Sequence, residues 1–171
     1  MTHIELSAAL SYAKLAAPAT LDDFVGVFLV SLCPPTGYDP FLYVMGNATE
    51  QNMLTIDNGN IALSWDTGRG SVCNASGSVP NGVSLVRVSL QYGEWKMAWT
   101  GQAEQAAVVG GDSSTNPITF DLIGATGIHR PGQAGYSNPG CHVLKAAILP
   151  GHPTAEDVAR VEVGMAGYQL S

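Results

Sequence analysis

The sequence predicts an all-β fold, an antiparallel β-sandwich with a short C-terminal helix. Three observations lead there. Short apolar runs rich in Val, Ile, Phe and Trp recur along the chain, mostly with the period of two that half-buried strands require. Gly, Pro and Asn interrupt them roughly every 8–12 residues, the spacing of sandwiches and barrels. A helical period is clearest near the C-terminus.

Ala8 to Leu15 alternates Ala8, Leu10 and Tyr12 with small or polar residues and reads as a strand. ELSAALSYAKLA also holds good helix formers, so a helix is the alternative, and Pro18 is expected to end either one. Residues 1–20 are thus an edge strand or a docking arm. Phe24 to Leu32 (FVGVFLVSL) is almost continuously apolar, which suits a central strand covered on both faces. Cys33-Pro34-Pro35-Thr36-Gly37 is a loop, and Phe41 to Met45 a short strand. Met53 to Trp65 forms a hairpin about Asn58-Gly59, residues suited to the positive φ angles of a type I′ turn. That hairpin puts Ile61, Leu63 and Trp65 on one face. Asp66 to Asn81 is polar, Gly-rich and aperiodic, so a long loop is expected.

Val83 to Tyr92 and Glu94 to Thr100 form a second hairpin around Gly93. Val86, Val88 and Leu90 alternate with Arg87 and Ser89; Trp95, Met97 and Trp99 alternate with Glu94, Lys96 and Ala98. Trp95 and Trp99 are therefore expected in the core. Gln102 to Val109 reads as one more strand, and Gly110 to Ser114 as a loop. Ile118 to Ile123 and His142 to Leu149 are the last strands. The terminal helix spans 154–169. Thr154 caps it, with Asp157 three residues on as a shorter substitute for the Glu of a capping box. Val158, Val161, Met165 and Tyr168 line one face. Gly164 and Gly167 each weaken that helix by about 1 kcal/mol relative to Ala, so packing must hold it. No internal repeat or linker interrupts the chain, and residues 1–171 are read as one domain.

Composition narrows the function. Apolar residues make up 46% of the chain, enough for a full core, but charged residues only 12%, about half the usual share. A surface so poor in charge suits contact with other protein in an oligomer or particle; a monomer with a neutral β surface is the alternative. The net charge is −7 and the seven basic residues are scattered, which excludes a phosphate-tracking stripe and with it nucleic acid as a partner. The N-terminus lacks the basic start and continuous apolar centre of a signal peptide, so folding in a cytoplasm is expected. LDDFVGVFLVSLCPP is too short to cross a bilayer, and no membrane partner is expected. Cys33, Cys73 and Cys141 lack CxxC spacing and read as buried thiols. The sequons at Asn47 and Asn74 would matter only on a secretory route.

The order of elements carries a family likeness. LSYAKLAAPATLDDFVGVFLVSL reads as an edge segment that passes through an Asp-bearing turn into a central strand. SLVRVSLQYGEWKMAWTGQAEQAA reads as a middle hairpin followed by a Gly turn at Gly101. DLIGA and LKAAILPGHPTAEDVARVEVGMAGYQ read as closing strands and a terminal helix. In this order the chain resembles the concanavalin A-like, laminin G-like jelly-roll domains, in the compact form found in many phage virion proteins. Ala98-Trp99-Thr100 departs by one position from the family's usual aromatic step before that Gly. The resemblance implies a jelly roll used to bind or to build, and it covers nearly the whole chain.

Chemistry is sparse. Glycoside hydrolysis needs two carboxylates flanking one bond. None of Glu5, Glu50, Glu94, Glu104, Glu156 and Glu162 has a second carboxylate at an alternate position of an expected strand. No GxSxG, HExxH or P-loop spacing occurs, so the chain is read as noncatalytic. His129, Arg130 and Tyr136 on one loop are the nearest thing to a lyase cluster, with turn formation as the plainer reading. Asp66, Asp112 and Asp121 could offer oxygens to calcium, as the family resemblance implies, but no D-x-D-x-D run is present, and no cofactor or metal is assigned. Trp65, beside Asp66 and Arg69 where a strand meets the long loop, is the favoured sugar contact. The candidate ligand-binding residues are therefore Trp65, Asp66, Arg69, His129 and Arg130. The resemblance and the low charge together suggest a noncatalytic virion protein, a capsid decoration or tail-associated protein exposed on a phage particle. Its expected partners are other virion proteins, copies of itself and cell-surface glycans. A free-standing lectin-like module is the alternative.

Overall fold

The computed structural model describes residues 2–5, 13–32, 41–46, 52–57, 60–65, 71–74, 79–106, 108–110, 118–123 and 142–167. In chain order these form β1 (Thr2–Glu5), β2 (Ala13–Leu21), β3 (Phe24–Leu32), β4 (Phe41–Gly46), β5 (Asn52–Asp57), β6 (Asn60–Trp65) and β7 (Ser71–Asn74). Then follow β8 (Gly82–Gln91), β9 (Glu94–Trp99), β10 (Gln102–Ala106), β11 (Val108–Gly110), β12 (Ile118–Ile123), β13 (His142–Pro150) and α1 (Ala155–Ala166). One sheet has the order β1-β13-β3-β8-β9-β10, the other β11-β7-β6-β5-β4-β12-β2, and neighbours are antiparallel throughout.

The core lies between the sheets. Phe24, Phe28, Val30 and Leu32 point inward from β3, with Val86, Val88 and Leu90 from β8 and Trp95, Met97 and Trp99 from β9. Phe120 and Ile123 of β12 meet them from the second sheet. Each such side chain contributes about 1.5–3 kcal/mol by leaving water. Trp95 meets Phe24 edge-on, with centroids 5.9 Å apart and planes at 77°, the arrangement their ring quadrupoles favour. Gly26 shares this inward face because its neighbours leave no room: a Cβ there would lie 2.7 Å from the ring of Phe28.

The opposite face of β3 is also covered, as its unbroken apolar run requires. Val25, Val27 and Ala147 pack under Val158, Val161 and Met165 of α1. The helix begins as its sequence predicts. The backbone N–H of Asp157 donates to Thr154 Oγ1 (3.1 Å), and the N–H of Thr154 donates to Asp157 Oδ2 (3.3 Å). The Thr154 hydroxyl donates to the same oxygen at 2.7 Å. These bonds hold the Asp157 carboxyl below the usual carboxylate range, against an opposing desolvation and with a smaller lowering by Arg160. Toward the helix end, Arg87 on the outer face of β8 reaches Glu162 (2.8 Å) and Glu104 of β10 (3.0 Å), tying helix and edge strand to the sheet.

Several expectations need correction. Pro18 does not end a strand: it lies inside β2, which runs to Leu21, while residues 8–12 lie outside the described residues. β2 is an edge strand, and its register with β12 shifts between Phe120 and Leu122, so the missing N–H of proline breaks no regular ladder. The expected loop 66–81 contains β7, paired with β6 and β11. A four-residue strand carries too little alternation to be read. The single strand expected over 102–109 is two, β10 on the first sheet and β11 on the second. The chain changes sheets there, a long-range outcome that local pattern does not encode. The helix is described to Ala166, with Gly167 as its C-cap, and Tyr168 lies outside the described residues. Among the described residues no helix is long and apolar enough to cross a membrane, which says nothing of strand-built pores.

Candidate functional site

Three chain connections converge at one end of the first sheet. Phe24 opens β3 opposite both Leu90 near the end of β8 and Pro150 at the end of β13. The turn before β3, the turn after β8 and the link from β13 to α1 therefore emerge side by side. Asp23 joins all three. Its carbonyl accepts the N–H of Gly151 at 2.7 Å, its Oδ1 accepts the N–H of Tyr92 at 3.0 Å, and its Oδ2 lies 3.2 Å from His152 Nε2.

Tyr92 and Gly93 form the two-residue turn between β8 and β9, with φ of 53° and 76°. Positive φ at both positions is the geometry whose twist matches a hairpin, and its first position is ordinarily Asn, Asp or Gly. Tyrosine there costs about 1–2 kcal/mol, because Cβ crowds the following carbonyl. The strained residue is also the most exposed large apolar side chain among the described residues, at 82%. One face of its ring lies on the imidazole of His152, with centroids 4.1 Å apart and planes 9° from parallel. The arrangement presents a flat aromatic face to solvent beside a carboxylate with lone pairs to spare. Asp22 and Glu94, both exposed, adjoin it in sequence. Such a surface can stack against an apolar ligand face and accept hydrogen bonds from hydroxyls.

The residues favoured from sequence are placed as follows. Trp65 closes β6 in the second sheet, paired in register with Asn52 and Ser71. Asp66, Arg69, His129, Arg130 and Tyr136 lie outside the described residues, as does Asp112. Asp121 falls within β12. Among the described residues no group of three or more His, Cys, Asp or Glu side chains is gathered for a metal ion. Trp95 and Trp99 are buried, as their alternation predicts. Sequence reasoning missed Asp23, Tyr92 and His152. One local signal was available: an aromatic residue directly before Gly93, where a two-residue hairpin turn calls for Asn or Asp.

No family model and no curated protein matches the chain. Solved structures do. The chain is similar to Trypanosoma rangeli sialidase, with a TM-score of 0.52 and 14% identity over 85% of this chain and 23% of that one. It is also similar to domains LG4-5 of the mouse laminin alpha1 chain, with a TM-score of 0.52 and 13% identity over 80% of this chain and 38% of that one. The chain thus spans under a quarter of the sialidase and well under half of the laminin fragment. At such low identity the likeness establishes the fold. The chain is a concanavalin A-like, laminin G-like jelly roll with a short C-terminal helix.

Proposed function

We propose that this protein is a noncatalytic carbohydrate-binding domain whose contact surface is the Tyr92–His152 rim. One observation carries the reading: a bulky aromatic side chain stands almost wholly exposed at a backbone position that penalises it. Strain of this kind clusters at functional sites. A flat ring with carboxylate and imidazole groups beside it matches the needs of a sugar, which offers an apolar C–H face and a fringe of hydroxyls. The noncatalytic part rests on the sequence, in which no Glu has a second carboxylate at an alternate position of an expected strand to flank one bond with it. Screening the protein against immobilised glycans tests the reading. Retention that free sugar competes away is expected, and a screen with no retained glycan contradicts it.

A second reading concerns location. A charge share of 12%, about half the usual, suits contact with other protein. Together with the resemblance to the jelly-roll domains of phage virion proteins, it supports display on a phage particle, as a capsid decoration or tail-associated protein in contact with virion proteins or its own copies. Quantitative mass spectrometry of purified particles tests it. Copy numbers near that of the major capsid protein would mark a decoration and a few copies a tail position, whereas absence would leave a free lectin-like protein.

A further inference from the structure

We infer that the Tyr92 rim selects neutral glycans and discriminates against anionic ones; the inference rests on the carbohydrate-binding reading above. The rim carries more acids than cations among the described residues. Asp22 and Asp23 stand in the turn before β3, and Asp23 is bonded to the Tyr92 backbone. Glu94 follows the Tyr92-Gly93 turn at once, with its side chain 73% exposed. Against these acids stands Lys96, 3.8 Å from Glu94, while the imidazole of His152 faces Asp23 at 3.2 Å. A carboxylate or sulfate on a sugar stacked over Tyr92 would meet, among the described residues, an excess of acids over cations, in a chain of net charge −7. Hydroxyls meet the opposite situation, because carboxylate oxygens accept their protons.

Asp23 is a positioning residue for this site. Its two oxygens fix the turn that carries the ring and the imidazole that backs it. Asp23→Asn can keep one acceptor for the Tyr92 N–H while losing the charge that faces His152. It should therefore retain neutral-sugar binding far better than Asp23→Ala, which loses both contacts.

The test sets neutral oligosaccharides beside their sialylated and sulfated counterparts on one array, at low and high salt. Neutral members should be retained, with acidic counterparts weaker by about tenfold at low salt and the gap narrowing as salt screens the acids. The double variant Asp22→Asn/Glu94→Gln should raise binding of acidic members by about two- to threefold for each charge removed. Acidic glycans bound as well as neutral ones, with no response to salt or to the double variant, would overturn the inference and leave the carbohydrate reading standing. Retention of neither class would overturn both.

Discussion

The ring of Tyr92 lies flat on the imidazole of His152, 4.1 Å away and 9° from parallel, although the two residues are 60 positions apart in sequence. Asp23 accepts from the backbone of one and faces the ring nitrogen of the other, so a single carboxylate sets the geometry of both. The jelly roll brings the three together because β3 ends one turn and begins beside the other two.

Tyr92→Asn should stabilise the fold while weakening the site. Asparagine tolerates the left-handed backbone that tyrosine resists, which relieves up to about 1 kcal/mol. In a chain of this size that is an increase in melting temperature of about 2–4 °C. Calorimetry on the two proteins checks it; an unchanged or lowered midpoint would show that the tyrosine is not strained.

Gly26→Ala should destabilise by about 1–3 kcal/mol, the usual cost of forcing atoms into a filled core. The added methyl would press on Phe28, which is fully buried and cannot swing out. Urea unfolding should show the loss with an unchanged slope.

Arg87 holds two carboxylates on two different elements. All three side chains are partly exposed, so each pair contributes modestly, about 0.5–1 kcal/mol. A double-mutant cycle between Arg87→Met and Glu162→Gln should return a coupling of that size, falling with added salt. A zero coupling would mean that apolar packing under the helix alone holds α1.

Thr154→Ala should cost about 1 kcal/mol by removing the helix cap. The same cap makes stability depend on acid. The carboxyl of Asp157 is harder to protonate folded than unfolded, because Thr154 bonds to its charged form. Its contribution is complete above the ordinary carboxylate value and fades as pH falls from there through the lowered folded value. Stability profiles of the wild type and Thr154→Ala should converge as pH drops through that window.

Trp95→Ala and Trp99→Ala should each cost about 3–5 kcal/mol, as truncations of large buried aromatics do. Chemical denaturation would expose a smaller loss, which would place these rings outside the core.

The reach of sequence reasoning followed the range of the interactions. The β8–β9 hairpin, the doubly covered β3 and the capped helix were legible because each is written in neighbouring residues: alternation, an apolar run, Thr154 with Asp157. The strand around Pro18 was not, because only its place at a sheet edge makes proline harmless there. The switch from β10 to β11 depends on the partners β9 and β7, far away in sequence. The rim was missed for the same reason. Asp23, Tyr92 and His152 come from three separate connections, and the one local signal, an aromatic directly before Gly93, does not tell which residues it meets. Trp65 drew attention because it combines an aromatic with a charged loop in one short stretch, which is the kind of signal a linear reading can see.

The most direct measurement is a titration of wild-type protein and Tyr92→Asn with a neutral oligosaccharide retained in the glycan screen, made alongside their melting curves. Affinity should fall by about tenfold in the variant, the scale of losing a central aromatic contact, while its melting temperature rises. Equal affinity in the two proteins would contradict a sugar site at the Tyr92 rim.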